Sequence, residues 1–116
     1  MFKSFLLFAS LFLIPLANAL ADSADNEFMA AREAFRKGDA ARLNLAAKRL
    51  EQHVMAPYLD YYQLVMRLKD ASAGEVRSFI AAHSGSYLAD RLRADWLKAL
   101  GQQQKWELFL EEYPLL

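Results

Sequence analysis

From about residue 23 onward, apolar side chains recur three or four positions apart and not at every second position. The clearest run is Leu43, Ala46, Ala47 and Leu50, whose spacing places them on one face of a helix. Turn-forming residues also arrive at intervals of helix length. The pattern therefore predicts an all-α chain of six helices. We place the first at residues 27–37, the second after Asp39, the third from Pro57, the fourth after Ser72, the fifth at 87–100 and the sixth at 105–113.

The predicted helix boundaries rest on residues with known roles at helix ends. Gly38 is expected to end the first helix, because glycine adopts a left-handed conformation without steric cost, and Asp39 to cap the second. Ser72 and Glu75 match a capping box, in which each side chain accepts a hydrogen bond from the other residue's amide. The remaining signals are Asp25 or Asn26 as the first N-cap, residues 84–86 as a break, Gly101 as the end of the fifth helix and Pro114 as the end of the sixth.

The predicted turns recur at a regular interval. They fall at residues 37–39, 69–71 and 100–102, roughly thirty residues apart, and repeats of about that length built from helical pairs are typical of α-solenoids. We therefore predict three helical hairpins of a superhelix. An irregular six-helix globule remains the alternative, because no consensus word recurs between the units.

The first 21 residues have the layout of a signal peptide. Lys3 precedes an apolar run over residues 5–16, and two overlapping A-x-A cleavage sites end at Ala19 and Ala21. A transmembrane anchor is disfavoured because a span needs about 20 apolar residues. We favour cleavage after Ala21, which predicts a periplasmic protein of residues 22–116 that has no membrane segment after processing.

Composition excludes several classes of function. Lys and Arg together number 14, and Asp and Glu together also number 14. The sequence contains no cluster of basic residues of the kind that would indicate a nucleic-acid partner. The chain has no cysteine, so disulfides and thiolate metal sites are excluded. His53 and His83 lie far apart and form no metal motif, and we expect no metal, no cofactor and no catalytic residue. Glu111 and Glu112 are expected on a solvated face, because adjacent helical residues point in different directions.

Aromatic residues raise two further expectations. Tyr58, Tyr61 and Tyr62 lie at helical spacing, which favours a role in the core, although stacking on sugar rings is the alternative. The last helical pair is rich in large apolar side chains without a polar outer face, whereas a terminal solenoid repeat needs one for solubility. We therefore expect a further repeat or a protein partner to cover a surface made of Trp96, Trp106, Phe109 and Tyr113.

Two segments carry a family resemblance. Residues 28–39 read FMAAREAFRKGD and residues 53–61 read HVMAPYLDY. The first resembles the opening helix A-R-x-A-F-x-x-G-D of the soluble lytic murein transglycosylases, periplasmic enzymes that cleave peptidoglycan. The second is similar to that family's H-P-L-x-P-Y-L-E-Y, with Val54, Met55 and Asp60 in place of proline, leucine and glutamate. Residues 92–97 and 106–113 are similar through looser motifs.

The resemblance implies that residues 22–116 are the N-terminal part of a longer U-shaped helical domain. In that family the domain joins a lysozyme-like catalytic domain around the glycan strand, so peptidoglycan would be a partner of the full-length protein. The family's catalytic glutamate is typically followed by serine, and no glutamate of this chain is. We therefore expect this chain to be inactive alone. The alternative, from another class, is a standalone periplasmic helical-repeat module that binds a protein.

Overall fold

The computed structural model describes residues 23–116, which fold into six α-helices and a final 3-10 turn, with no strand among these residues. The predicted all-α class is confirmed. The predicted signal peptide, with its cleavage sites at Ala19 and Ala21, lies outside the described residues. The helices are α1 (residues 23–37), α2 (Ala40–Arg49), α3 (Ala56–Met66), α4 (Ala73–Ala82), α5 (Tyr87–Gln102) and α6 (Trp106–Glu112), followed by the 3-10 turn Tyr113–Leu115.

Several predicted helix boundaries are confirmed by their hydrogen bonds. Gly38 has a φ of 75° after α1, and the Asp39 carboxylate accepts from the Arg42 amide at 3.1 Å. The Ser72 hydroxyl accepts from the Glu75 amide at 3.1 Å, which is one half of the predicted capping box. The other half is not formed, because the Glu75 carboxylate binds both terminal nitrogens of the Arg67 guanidinium instead. A charged partner was therefore preferred to a backbone amide.

Two boundaries were predicted wrongly. Asp25 and Asn26 lie inside α1 and so are not its N-cap. Gly101 lies inside α5, which continues to Gln102. The chain leaves α5 at Gln104, whose φ is 58° and whose amide binds the Gly101 carbonyl at 3.1 Å, while the Lys105 amide binds the Leu100 carbonyl at 2.9 Å. These two bonds form a Schellman motif with glutamine at the position where glycine is usual.

The buried apolar residues form two clusters that meet at α3. The first core cluster joins α1, α2 and the start of α3, and the second joins the rest of α3 to α4 and α5. Tyr62 of α3 packs against both. The first consists of Ala31, Ala34, Leu43, Ala46, Leu50 and Leu59, and the second of Tyr61, Leu64, Leu68, Val76, Ile80, Leu88, Ala89, Leu92, Trp96 and Leu100.

The helices pack in a regular order. α2 packs on α3, α3 on α5, α4 on α5 and α5 on α6. The odd-numbered helices also touch in succession, since the rings of Phe35 in α1 and Tyr62 in α3 stack at 4.4 Å and Tyr61 in α3 bonds Asp95 in α5. None of the helices within residues 23–116 combines the length and the apolar character that crossing a bilayer requires.

Replacing Gln104 by glycine tests the cost of the left-handed turn after α5. We expect Gln104→Gly to raise the free energy of unfolding by about 0.5–1 kcal/mol, because glycine adopts this backbone conformation without a Cβ clash. Chemical denaturation followed by circular dichroism measures the change. Gly38→Ala is the matched control at the same position of the α1 motif, and it should lower stability by about 1 kcal/mol although no atom lies within 4 Å of the added Cβ. A destabilised Gln104→Gly protein would contradict this account.

Candidate functional site

Five of the nine large apolar side chains that are exposed within residues 23–116 lie on α6 and the residues after it, and we call this surface the terminal face. Its five members are between 54 and 68% exposed, which is unusual for large apolar side chains that cluster. They are Trp106, Leu110, Tyr113, Leu115 and Leu116.

Aromatic contacts hold the terminal face in one arrangement. The Trp106 ring meets the half-buried Phe109 ring edge-on at 5.6 Å, and Phe109 stacks on Tyr113 at 5.7 Å. The rings of Trp106 and Phe109 also lie 3.9–4.0 Å from the position a Cβ would take on Gly101. Gly101 therefore lies under the α5–α6 contact, which is a packing role and not the helix-ending role predicted for it.

Trp96 does not belong to this surface, and that part of the prediction is wrong. Its side chain is only 3% exposed and belongs to the second core cluster, together with Leu92 and Leu100 on the same stripe of α5. The Arg77 guanidinium lies 5.8 Å from the centre of its ring, which is within the range of a cation–π interaction. The other three predicted residues do lie together, Trp106 and Phe109 on α6 and Tyr113 at the start of the 3-10 turn that follows.

A buried carboxylate fixes α6 to the two helices before it. Glu112 is 3% exposed, and its Oε1 accepts from Arg77 Nε of α4 at 2.7 Å. Its Oε2 lies 3.7 Å from Arg93 Nε of α5, and Arg93 Nη1 donates to the Leu115 carbonyl at 3.2 Å. The prediction of a solvated face is thus wrong for Glu112. It describes Glu111 better, since that side chain is 55% exposed and meets Arg77 Nη2 at 3.1 Å.

Glu112→Gln should therefore loosen the attachment of α6. We expect the free energy of unfolding to fall by about 1–3 kcal/mol, because the largely buried Arg93 guanidinium loses its counter-charge. Thermal or chemical denaturation measures the loss. Glu111→Gln is the neighbouring control, and since its ion pair is exposed the change should stay within about 0.5 kcal/mol. Equal effects of the two substitutions would show that burial of Glu112 does not matter.

A second surface, which is concave, runs across the odd-numbered helices, and we call it the odd-helix groove. It has a volume of about 580 Å³, with α1 and α5 as walls and α3 as floor. Tyr61 is buried, as the core prediction requires, whereas Tyr58 and Tyr62 are only half-buried and line the groove. Its lining residues are Phe28, Arg32, Phe35 and Arg36 from α1, Met55, Tyr58, Tyr61, Tyr62 and Val65 at α3, and Tyr87, Leu88, Arg91 and Asp95 from α5.

The polar contacts of the groove centre on Asp95. The Tyr61 hydroxyl donates to Asp95 Oδ2, and Arg91 Nε lies 3.8 Å from Asp95 Oδ1. Burial, and secondly the hydrogen bond to the Asp95 carboxylate, raise the pKa of Tyr61 well above its ordinary value. Tyr61 therefore serves as a neutral donor that joins α3 to α5.

The raised pKa of Tyr61 predicts a loss of stability in alkaline solution. Folded Tyr61 holds its proton more tightly than the unfolded chain does, so its contribution is complete below the ordinary tyrosine pKa of about 10 and declines as the pH rises toward the higher folded value. Denaturation at a series of alkaline pH values should show a steeper fall for the wild type than for Tyr61→Phe. Tyr113→Phe, on an exposed ring, should keep the wild-type slope. A slope unchanged in Tyr61→Phe would contradict the assignment.

Neither histidine lines the odd-helix groove or belongs to the terminal face, although His53 contacts the groove residues Phe28 and Met55. His53 Nδ1 accepts from the Met55 amide at 3.0 Å, and His53 Nε2 lies 3.7 Å from Asp25 Oδ1. His83 follows the last residue of α4 and its ring packs against Phe79 at 4.3 Å. Over residues 23–116, no group of three or more potential metal ligands comes together.

Comparison of the chain with known protein families, with curated proteins and with solved structures finds no match. Function is therefore inferred from the two surfaces, the terminal face and the odd-helix groove.

Proposed function

We propose that residues 22–116 are a segment of an α-solenoid scaffold that stacks through its terminal face on further helical structure. The packing order supports this. Each hairpin contributes its first helix to a row of odd-numbered helices, and α2 and α4 each pack on the first helix of the following hairpin. Hairpins that contact mainly their sequence neighbours are the defining feature of solenoids.

The observation that carries the proposal is the exposure of the terminal face. The first two hairpins each bury apolar side chains against the next, through Tyr62 and the second core cluster respectively. The third hairpin presents Trp106, Leu110 and Tyr113 to solvent instead. Apolar surface gains about 25 cal/mol for each Å² removed from water, so covering three such side chains would be favourable by several kcal/mol.

The resemblance to the soluble lytic transglycosylases indicates the kind of protein to which such a scaffold would belong. Several of the matching residues have structural roles here: Gly38 and Asp39 form the turn between α1 and α2, and Pro57 lies in the first turn of α3. We propose that this chain is the N-terminal helical segment of such a periplasmic, peptidoglycan-cleaving protein. The cleavage chemistry would then belong to a domain that this chain does not contain.

Exposed apolar residues that need a cover should promote association. We expect residues 22–116 to self-associate in sedimentation equilibrium, and Leu110→Lys to shift them toward monomer. Because Leu110 is exposed, its replacement should change Tm by less than about 3 °C. Val54→Lys is the matched control, since Val54 is 85% exposed but lies between α2 and α3. A monomeric wild type that binds no hydrophobic dye would contradict the proposal.

A standalone module that binds another periplasmic protein is the second candidate, and the same terminal face favours it. The coding sequence beyond codon 116 separates the two candidates. Further helical hairpins and a domain with a glutamate–serine pair would support the lytic transglycosylase setting. A stop codon followed by unrelated sequence would leave only the standalone module.

A further inference from the structure

The odd-helix groove has a charge pattern that the scaffold proposal does not use. Its walls carry three guanidinium groups, Arg32 and Arg36 on α1 and Arg91 on α5, whereas Asp95 is the one carboxylate among the described lining residues. Arg36 pairs with Glu33 at 3.2 Å, but both side chains are largely exposed to water. Arg32 makes no ion pair with any residue between 23 and 116, and Asp95 is already engaged by Tyr61 and Arg91. The groove is therefore electropositive.

The lining chemistry selects among ligands. Arginine supplies only hydrogen-bond donors, and among the described lining residues the only uncharged side-chain oxygens are the tyrosine hydroxyls, since serine, threonine, asparagine and glutamine are absent there. Sugar hydroxyls need acceptors as well as donors. The Asp95 carboxylate is already bound by Tyr61 and Arg91, and the phenol oxygens of the other lining tyrosines are weaker acceptors than a carboxylate. The faces of Phe35 and Tyr62 are stacked on each other, which reduces the flat aromatic surface open to a sugar ring. Carboxylates fit better, because a guanidinium binds them through two parallel hydrogen bonds.

The positions of the arginines set a spacing for those carboxylates. α1 and α5 flank α3, and packed helices lie about 8–10 Å apart, so the two walls are roughly 16–20 Å apart. An extended peptide advances about 3.3 Å per residue, so five or six residues bridge the walls. The floor between them offers Tyr58, Tyr62 and Val65, which suit apolar side chains.

We propose that the odd-helix groove binds an extended acidic peptide segment of a partner protein. The segment carries carboxylates about five or six residues apart, with apolar residues between them. One carboxylate binds Arg32 on the α1 wall and the other binds Arg91 on the α5 wall. This site is separate from the terminal face, so it does not depend on whether the solenoid continues.

A labelled peptide tests the site on residues 22–116. The probe is a fluorescein-labelled peptide with two glutamates at each end and leucine–tyrosine–leucine in the centre, and fluorescence anisotropy measures its Kd. Arg32→Glu should weaken binding roughly tenfold, because one charge-assisted bidentate contact becomes a repulsion. Arg42→Glu is the control, since this α2 side chain is 84% exposed and lies outside the groove lining. Circular dichroism should confirm that both variants keep the helical fold.

Three results would overturn the proposal. The first is equal binding of the analogue peptide with glutamine in place of glutamate. The second is an equal loss of affinity in Arg32→Glu and Arg42→Glu, which would indicate unspecific attraction between charges. The third is competition by a neutral chitin oligosaccharide with greater effect than by the unlabelled peptide, which would identify a glycan site instead. Binding that weakens with added salt only for the glutamate peptide is the expected result.

Discussion

The rest of the structure depends on α3, because this helix is buried on two sides. Leu59 at its start completes the first core cluster, and Leu64 near its end belongs to the second. A chain of this size buries a limited fraction of its surface, so neither cluster is large enough to be stable alone. Because both clusters include residues of α3, each cluster helps to shield the other from solvent. The two walls of the odd-helix groove are consequently held on one common floor, and their relative position is set by packing on α3.

How well the sequence predicts this fold depends on how far each residue lies from its partner. The Gly38 turn and the Asp39 and Ser72 caps involve residues three or four positions apart, and their prediction from the sequence is confirmed. Gln104 could not be predicted, because glutamine carries no preference for a left-handed turn and tertiary packing of α6 decides where α5 ends. Glu112 was missed because Arg77, its nearest partner, lies 35 residues earlier in the chain.

The candidate site was predictable only in part, for the same reason. Helical spacing indicated that Trp106, Phe109 and Tyr113 share a face, but it could not tell whether Trp96 faces the same way or the core. That depends on the direction from which α4 approaches α5. The odd-helix groove could not be assembled from the sequence, because its arginines and tyrosines come from three helices that are far apart along the chain. Arg32 and Arg91 come to opposite walls of one surface only because α1 and α5 both pack on α3.

The terminal face and the odd-helix groove are related through α5. In the observed packing order α1, α3 and α5 lie side by side. Each of α2 and α4 packs on the odd-numbered helix that follows it in the chain. A further hairpin on the terminal face would follow the same order and place its first helix beside α5. That helix would extend the groove past Arg91, and the length of peptide that the groove accommodates would increase by about 8–10 Å for each added hairpin. Stacking and ligand binding would then be two consequences of one repeat geometry, because α5 both lines the groove and supports α6.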